Sequence, residues 1–443
     1  MRVSRRAVRR FWLAAAVTGL LVIHTPPAAA EPPPPAAIAG VRLARARETR
    51  AFTERELQHL SGGTDCPRAV FVSYARSTSE PGISDQWYQA SQIWADLALA
   101  PREEPLARCW VLRGFTFLDR FWDREDQVGG FYAGADLEGE RPNRTTKFVD
   151  DNSLAGLVWM EAALRAPQRL ERELLLGRAR ETADFLMFGG LWDETFGGGF
   201  WWNTDRGATL EGKPAQSNGL AAQFFLELYG LTGEPAYRDW AGRTLAWLDA
   251  TLYDPEVRLY RWGAHHADLE RREGEVIAER YFNYDQGILI EAHLRAERLL
   301  GERRHYERAR ALGERLDPVF WDAQLGGYDL EAGIPQVFPV YSAWVSQSLL
   351  RLHERDHNPH WLGRAAATVD ALDRAAWDPA RGGYYHRYYV CRDPSPPGCA
   401  DGAAQAVDTT EKHSVDQAWM QRALALLATA LAREVPAPVS GDR

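Results

Sequence analysis

The sequence predicts an all-α fold, an (α/α)6 toroid of six helical hairpins with one ring of helices inside another. Three observations carry this. Segment after segment shows apolar residues at three- and four-residue intervals, as in Leu220, Phe224, Leu228 and Leu231. Between the segments an aromatic-Asp pair leads to a glycine turn and a second aromatic. The copies start at residues 122, 192, 253, 321 and 377, spacings that hold two helices and a reversal. Hairpins returning at such a period must stack to bury their shared faces. A closed ring is the expected form and an open helical solenoid the alternative.

Residues 1–30 read as a secretory signal peptide. Arg2, Arg5, Arg6, Arg9 and Arg10 form a basic head, Phe11 to Ile23 an apolar core too short to span a bilayer comfortably, and Ala28-Ala29-Ala30 a cleavage site. Removal of those five arginines and no acid takes the formal charge from −9 to −14. A chain this acidic is a poor partner for nucleic acid or acidic polysaccharides, which basic grooves hold. The expectation is a secreted monomer, extracellular or periplasmic, with no membrane span in the mature chain.

Residues 31–62 read as an export linker and charged helical lead-in, 63–433 as the (α/α)6 catalytic domain, and 434–443 as a flexible tail. Helices are expected over 84–99, 104–121, 151–165, 169–188, 217–231, 235–252, 284–300, 303–319, 340–355, 360–376 and 413–432. Either the lead-in or the helix following Gly82 completes the sixth pair. The turn copies are Trp122-Asp123 to Gly129-Gly130-Phe131, Trp192-Asp193 to Gly198-Gly199-Phe200, Trp321-Asp322 to Gly326-Gly327-Tyr328, and Trp377-Asp378 to Gly382-Gly383-Tyr384. Tyr253-Asp254 to Leu259-Tyr260 is a copy without glycines. Scaffold roles suit them, with glycine supplying positive φ and the aromatics packing hairpin ends.

Four cysteines fit an oxidising compartment better than zinc, since no C-x-x-C and no histidine at ligand spacing accompanies them. Cys391 and Cys399 flank a Pro-rich loop and are expected to pair, which leaves Cys66 with Cys109.

Three stretches mix amides, carboxylates and aromatics: Phe148 to Asn152, Gly198 to Gly219, and Arg280 to Gly287. Such side chains suit a neutral oligo- or polysaccharide, whose hydroxyl edges hydrogen-bond while its C–H faces stack. The Asp, Asn and Ser residues read equally as helix caps. The motifs are, in order, Asp150-Asp151-Asn152, Gly198-Gly199-Phe200-Trp201-Trp202-Asn203, Ser217-Asn218-Gly219 and Tyr284-Asp285-Gln286-Gly287. On these residues the sequence resembles glycoside hydrolase family 76, the endo-α-1,6-mannanases and related enzymes, over roughly residues 84 to 432.

The resemblance implies an (α/α)6 fold and a retaining mechanism, with Asp150 as nucleophile and Asp151 as general acid/base. It also implies substrate contacts from Asn152, Trp201, Trp202, Asn203, Asn218, Tyr284, Asp285 and Gln286. Retaining glycosidases hold their carboxyl groups only about 5 Å apart. Adjacent residues, with Cα atoms about 3.8 Å apart, meet that unaided. Two departures stand out: Ser153, Leu154 and Ala155 fill a turn where the family usually has an aromatic, and Asp285 stands where it usually has Asn. Asp285 is expected to bind a hydroxyl, act as a further acid, or mark a changed substrate.

The expected activity is cleavage of α-mannosidic linkages, foremost internal α-1,6 bonds of a cell-wall or capsular glycan, without cofactor or metal. The alternatives are a cell-wall transglycosylase and a sugar 2-epimerase using axial histidines, His293 and His413 being the candidates among His265, His266, His353, His357 and His360.

Overall fold

In the computed structural model, residues 35–103, 106–391, 399 and 405–434 are described. The signal segment, the Pro-rich loop and nearly all of the tail lie outside them. Among the described residues the helices run α1 Pro35–Glu56, α2 Gln86–Glu103, α3 Leu106–Leu118, α4 Val149–Arg165, α5 Arg169–Phe188 and α6 Ala215–Thr232. They continue as α7 Pro235–Trp247, α8 Asn283–Leu300, α9 Arg303–Phe320, α10 Pro339–Asp356, α11 Pro359–Ala375 and α12 Ser414–Arg433.

The even-numbered helices form the inner ring, each packed on the next, and α12 closes onto α2. Each inner helix has one outer partner: α3, α5, α7, α9 and α11 for the first five, and α1 for α12. The fold is therefore the closed (α/α)6 toroid, not a solenoid. The sixth outer helix is the lead-in segment, which packs on the last helix, and the compact unit begins at Pro35. Its Pro/Ala start and charged body read as a tether, yet its far side packs on α12. Directly after it Gln58–Ser61 pairs antiparallel with Phe71–Tyr74, a small hairpin that the sequence did not announce.

The inner helices are buried nearly all round, so their sequences carry apolar and small residues on every face. Gly219 on α6 shows why small residues are needed. A β-carbon there would lie 2.7 Å from Ile288 and Leu289 of α8.

Each aromatic-Asp copy folds as a two-strand turn. Trp122 bridges Phe131, Trp192 bridges Phe200, Tyr253 pairs with Tyr260, Trp321 with Tyr328 and Trp377 with Tyr384. In all five the two rings meet edge to face at 4.8 to 5.2 Å. The glycines are required by conformation and by space: Gly199 has φ +87°, and a β-carbon would fall 2.6 Å from the Trp247 ring.

The aspartates cap these turns. Asp193 accepts from the Thr195 N–H and the Trp201 indole, and Asp378 from the Ala380 and Arg381 N–H groups. A buried lysine two residues before an inner helix then ties the turn to that helix. Lys147 reaches Asp123 at 2.8 Å, Lys213 Asp193 at 2.8 Å and Lys412 Asp378 at 2.7 Å. The same three lysines donate to the turn carbonyls of Gly129, Gly198 and Gly382.

Both disulfides form as expected, Cys66 with Cys109 and Cys391 with Cys399. No helix among the described residues is long and apolar enough to cross a membrane.

Candidate active site

The N-termini of the inner helices converge on one mouth, and a repeated amide sets how their first turns are seated. Phe131 donates its N–H to Asn152 Oδ1 at 2.7 Å, and Asn152 Nδ2 donates back to the Phe131 carbonyl at 3.1 Å. Asn218 makes the same two-way bond with Phe200, Gln286 with Tyr260 and Gln417 with Tyr384, all at 2.7 to 3.0 Å. The fourth residue of the helix thus docks onto the aromatic end of the preceding turn. Asn152, Asn218 and Gln286, expected to bind sugar, are fully buried and have their amides committed to backbone. In this structure the three amides hold the turns against the helices. The reason is geometric, since successive helical residues point about 100° apart, and the fourth residue of each helix points back onto the turn.

That preceding position holds the chemistry. Asp150 and Asp151 are the second and third residues of α4, and neither is its cap. Phe148 holds the N-cap position with no side-chain cap bond. Asp150 Oδ2 accepts from the Trp202 indole N–H at 3.1 Å and from Gln216 Nε2 at 3.3 Å, while Oδ1 accepts from the Asp151 backbone N–H at 3.2 Å. Burial pushes the Asp150 carboxyl up, and these donors, each favouring the ionised form, pull it back. Asp151 is driven well above the carboxylate range by burial and by the neighbouring charges of Asp150 and Asp85, with no donor to offset them. The pair titrates as a unit, in which the ionised form belongs to Asp150 and the proton to Asp151.

Of the remaining expected contacts, Trp202 and Tyr284 are half-buried in the wall of the mouth. The Tyr284 ring lies 4.7 Å from Tyr341. Trp201 turns inward, with its indole on Asp193, and Asn203 closes a local turn by accepting from the Asp205 N–H. Asp285 is wholly buried, and burial pushes it well above the usual range.

Across the mouth, beside the candidate His413, stand Asp416, His386 and Tyr88, which the sequence reading missed. Asp416 accepts from the Val340 N–H at 3.0 Å and from His386 Nδ1 at 2.8 Å. The His386 ring stacks on His413 at 3.9 Å, and His413 Nδ1 meets the Tyr88 hydroxyl at 3.2 Å. A signal existed: Asp151-Asn152, Asp285-Gln286 and Asp416-Gln417 are one carboxyl-amide register at three helix starts. His293, by contrast, is a core residue between Tyr260 and His305, and burial lowers its pKa.

A cavity of about 740 Å3 lies at the opposite end of the ring, bounded by Trp94, Met160, Glu161, Glu291, Arg295 and Arg351. Its acids are held by cations. Glu161 is half-buried, which raises its pKa, but Arg422 and Arg165 outweigh that and bring it to about 2. Salt-bridged acids pulled down serve the framework, whereas Asp150, Asp151 and Asp285 are pushed up.

A closed helical toroid whose mouth holds an adjacent, unequally buffered carboxyl pair beside aromatic platforms defines a glycosidase. Residues 131–337 match the sequence model of Glycosyl hydrolase family 76, and the chain is a glycoside hydrolase carrying a domain of that family. No curated protein sequence matches it. Among solved structures it is similar to a family 76 α-mannanase from Bacteroides thetaiotaomicron (TM-score 0.69, 15% identity, 90% of this chain and 99% of that one). It is also similar to a family 76 α-1,6-mannanase from a Salegentibacter species (TM-score 0.64, 15% identity, 88% and 99%). An inactive variant of that enzyme, with two consecutive aspartates replaced by asparagine, is in complex with α-1,6-mannotriose. A sugar epimerase from a ruminal bacterium is comparable in fold (TM-score 0.66, 13% identity, 90% and 100%). At these identities the likeness is one of fold.

Proposed function

We propose that the chain is an exported retaining glycosidase that cleaves α-1,6-linked mannose chains of a cell-wall or capsular glycan. Asp150 is its nucleophile and Asp151 its general acid/base. The observation that carries this reading is the unequal environment of two adjacent carboxyls. Asp150 faces donors that favour a carboxylate able to attack C1. Asp151 has like charges and burial, which keep the proton a leaving oxygen needs. After glycosyl transfer to Asp150, Asp151 as carboxylate takes a proton from water, and the glycosyl-enzyme hydrolyses. The mannosidic substrate rests on the family domain and on what the Bacteroides and Salegentibacter enzymes act on. Export rests on the amino-terminal segment, and two disulfides fit it.

The epimerase alternative has the shared toroid in its favour, but His386 and His413 stack on each other on one side of the mouth. Moving a proton between the two faces of one sugar carbon needs bases on opposite sides.

The test incubates purified protein with α-1,6-mannan and follows product anomers by NMR, beside Asp150→Asn and Asp151→Asn. Newly released α-anomer is expected from the wild type and its loss from both variants. First-formed β-anomer, or full activity in both variants, overturns the mechanism, and an intact mannan overturns the substrate.

A further inference from the structure

Asp285 is a buried acid beside the mouth for which the reaction above has no use. It is the third residue of α8, the same register as Asp151 on α4. Both its oxygens are sealed from solvent, and neither has a hydrogen-bond partner of sound geometry. Only the backbone N–H of Gln216 is turned toward it. A sealed oxygen cannot touch a sugar, so the side chain reaches the reaction only through a neighbour. An ionised carboxyl in such a place, with no cation, is strongly disfavoured. The acid form has one O–H to give.

A matching vacancy lies on that same neighbour. Gln216 Nε2 donates to Asp150 Oδ2 at 3.3 Å, but the other end of the amide, Oε1, is sealed and without a donor. An amide anchored at one end only can turn over. Turned over, Gln216 would set a carbonyl oxygen against the Asp150 carboxylate, and the nucleophile would lose one of its two side-chain donors.

We propose that Asp285 is a positioning residue for the nucleophile: in its acid form it donates a hydrogen bond to the side-chain carbonyl of Gln216, locking that amide so that its N–H faces Asp150. No atom is transferred; the proton stays on Asp285 throughout the cycle. The aspartate at this position then does what an asparagine would, offering a donor from a site too dry for a charge. The proposal rests on the glycosidase reading of Asp150.

A double-mutant cycle tests it. Asp285→Ala and Gln216→Ala should each lower kcat about tenfold, the worth of one such hydrogen bond, with KM unchanged. The double variant should be no slower than either single one, because both remove the same contact. Asp285→Asn, which keeps a donor, should recover most of the loss. Additive effects, a shifted KM, or an asparagine as damaging as alanine overturn the proposal. A readout independent of the substrate is the infrared difference between wild type and Asp285→Asn at neutral pH. A protonated-carboxyl band is expected there, displaced in a Gln216→Ala background. Its absence sinks the proposal even if mannan is cleaved. Its presence with that displacement, and no mannan cleavage, leaves the contact standing and removes only the substrate.

Discussion

The Trp202 indole N–H lies 3.1 Å from Asp150 Oδ2, so a residue of the second hairpin turn holds the charge of an aspartate on α4. A hydrogen bond to an ionised group is worth about 1.5–3 kcal/mol. Trp202→Phe keeps the aromatic surface and removes only that bond, so kcat should fall roughly 10- to 100-fold. A donor to the ionised form lowers a pKa, and its loss raises it. The acid limb of the kcat/KM profile should therefore move to higher pH, which a pH series on both proteins measures.

Asp151 carries its proton because burial and the charges of Asp150 and Asp85 raise its pKa well above 3.8. Activity on mannan should accordingly fall as pH rises through that raised value. In Asp151→Asn the alkaline limb should vanish along with about 10²–10⁴ of the rate. An α-mannosyl fluoride, whose leaving group needs no proton, should still be attacked by Asp150. Burst kinetics with the fluoride check this, and an equal loss on both substrates would remove Asp151 from the acid role.

Asn218 bonds the Phe200 N–H and carbonyl and also the Pro214 carbonyl at 2.9 Å, all out of reach of water. Asn218→Leu leaves three buried backbone groups unsatisfied and should destabilise the fold by at least about 2 kcal/mol. The folded fraction should bind mannan oligosaccharides with unaltered affinity. A calorimetric melt and a binding titration separate the two effects, and weakened binding without a lowered Tm would return Asn218 to the sugar.

Asp193 is partly buried, which raises its pKa, but Lys213, the Trp201 indole and the Thr195 N–H outweigh burial and bring it to about 2 from 3.8. A depressed carboxyl contributes stability that is complete above its unfolded value and lost as pH falls through the folded one. Urea midpoints should decline between pH 4 and 2, and Asp193→Asn should flatten that decline while lowering stability at neutral pH, because Lys213 is then buried without its partner.

The hairpin repeat was legible because its turn is a local device. An aromatic-Asp pair, glycines at positive φ and a closing aromatic each leave a mark within ten residues. The aspartate pair was legible for the same reason. The backbone bonds of Asn152, Asn218 and Gln286 were not legible because a motif lists neighbours in order, whereas a helix points consecutive side chains in different directions. Asp416, His386 and Tyr341 were missed since their company comes from other hairpins, and only the ring brings them to the mouth. The lead-in helix was undecided because its composition resembles a tether and its partner is α12, at the far end of the chain.

That last pairing has a consequence for how the molecule is made. Trp419 of α12 bonds Ser91 of α2 at 3.2 Å, and α1 covers the outside of the same seam. Contacts across more than three hundred residues are the slowest to find, because loop closure must be met before any of them forms. A chain emerging from its amino terminus can stack hairpins as they appear, but it remains a horseshoe until α12 arrives. The wall bearing Asp416 and His413 arrives with it. The mouth is thus completed only once α12 has been made, and a product cut short before residue 414 would carry the aspartate pair in an open, water-filled groove.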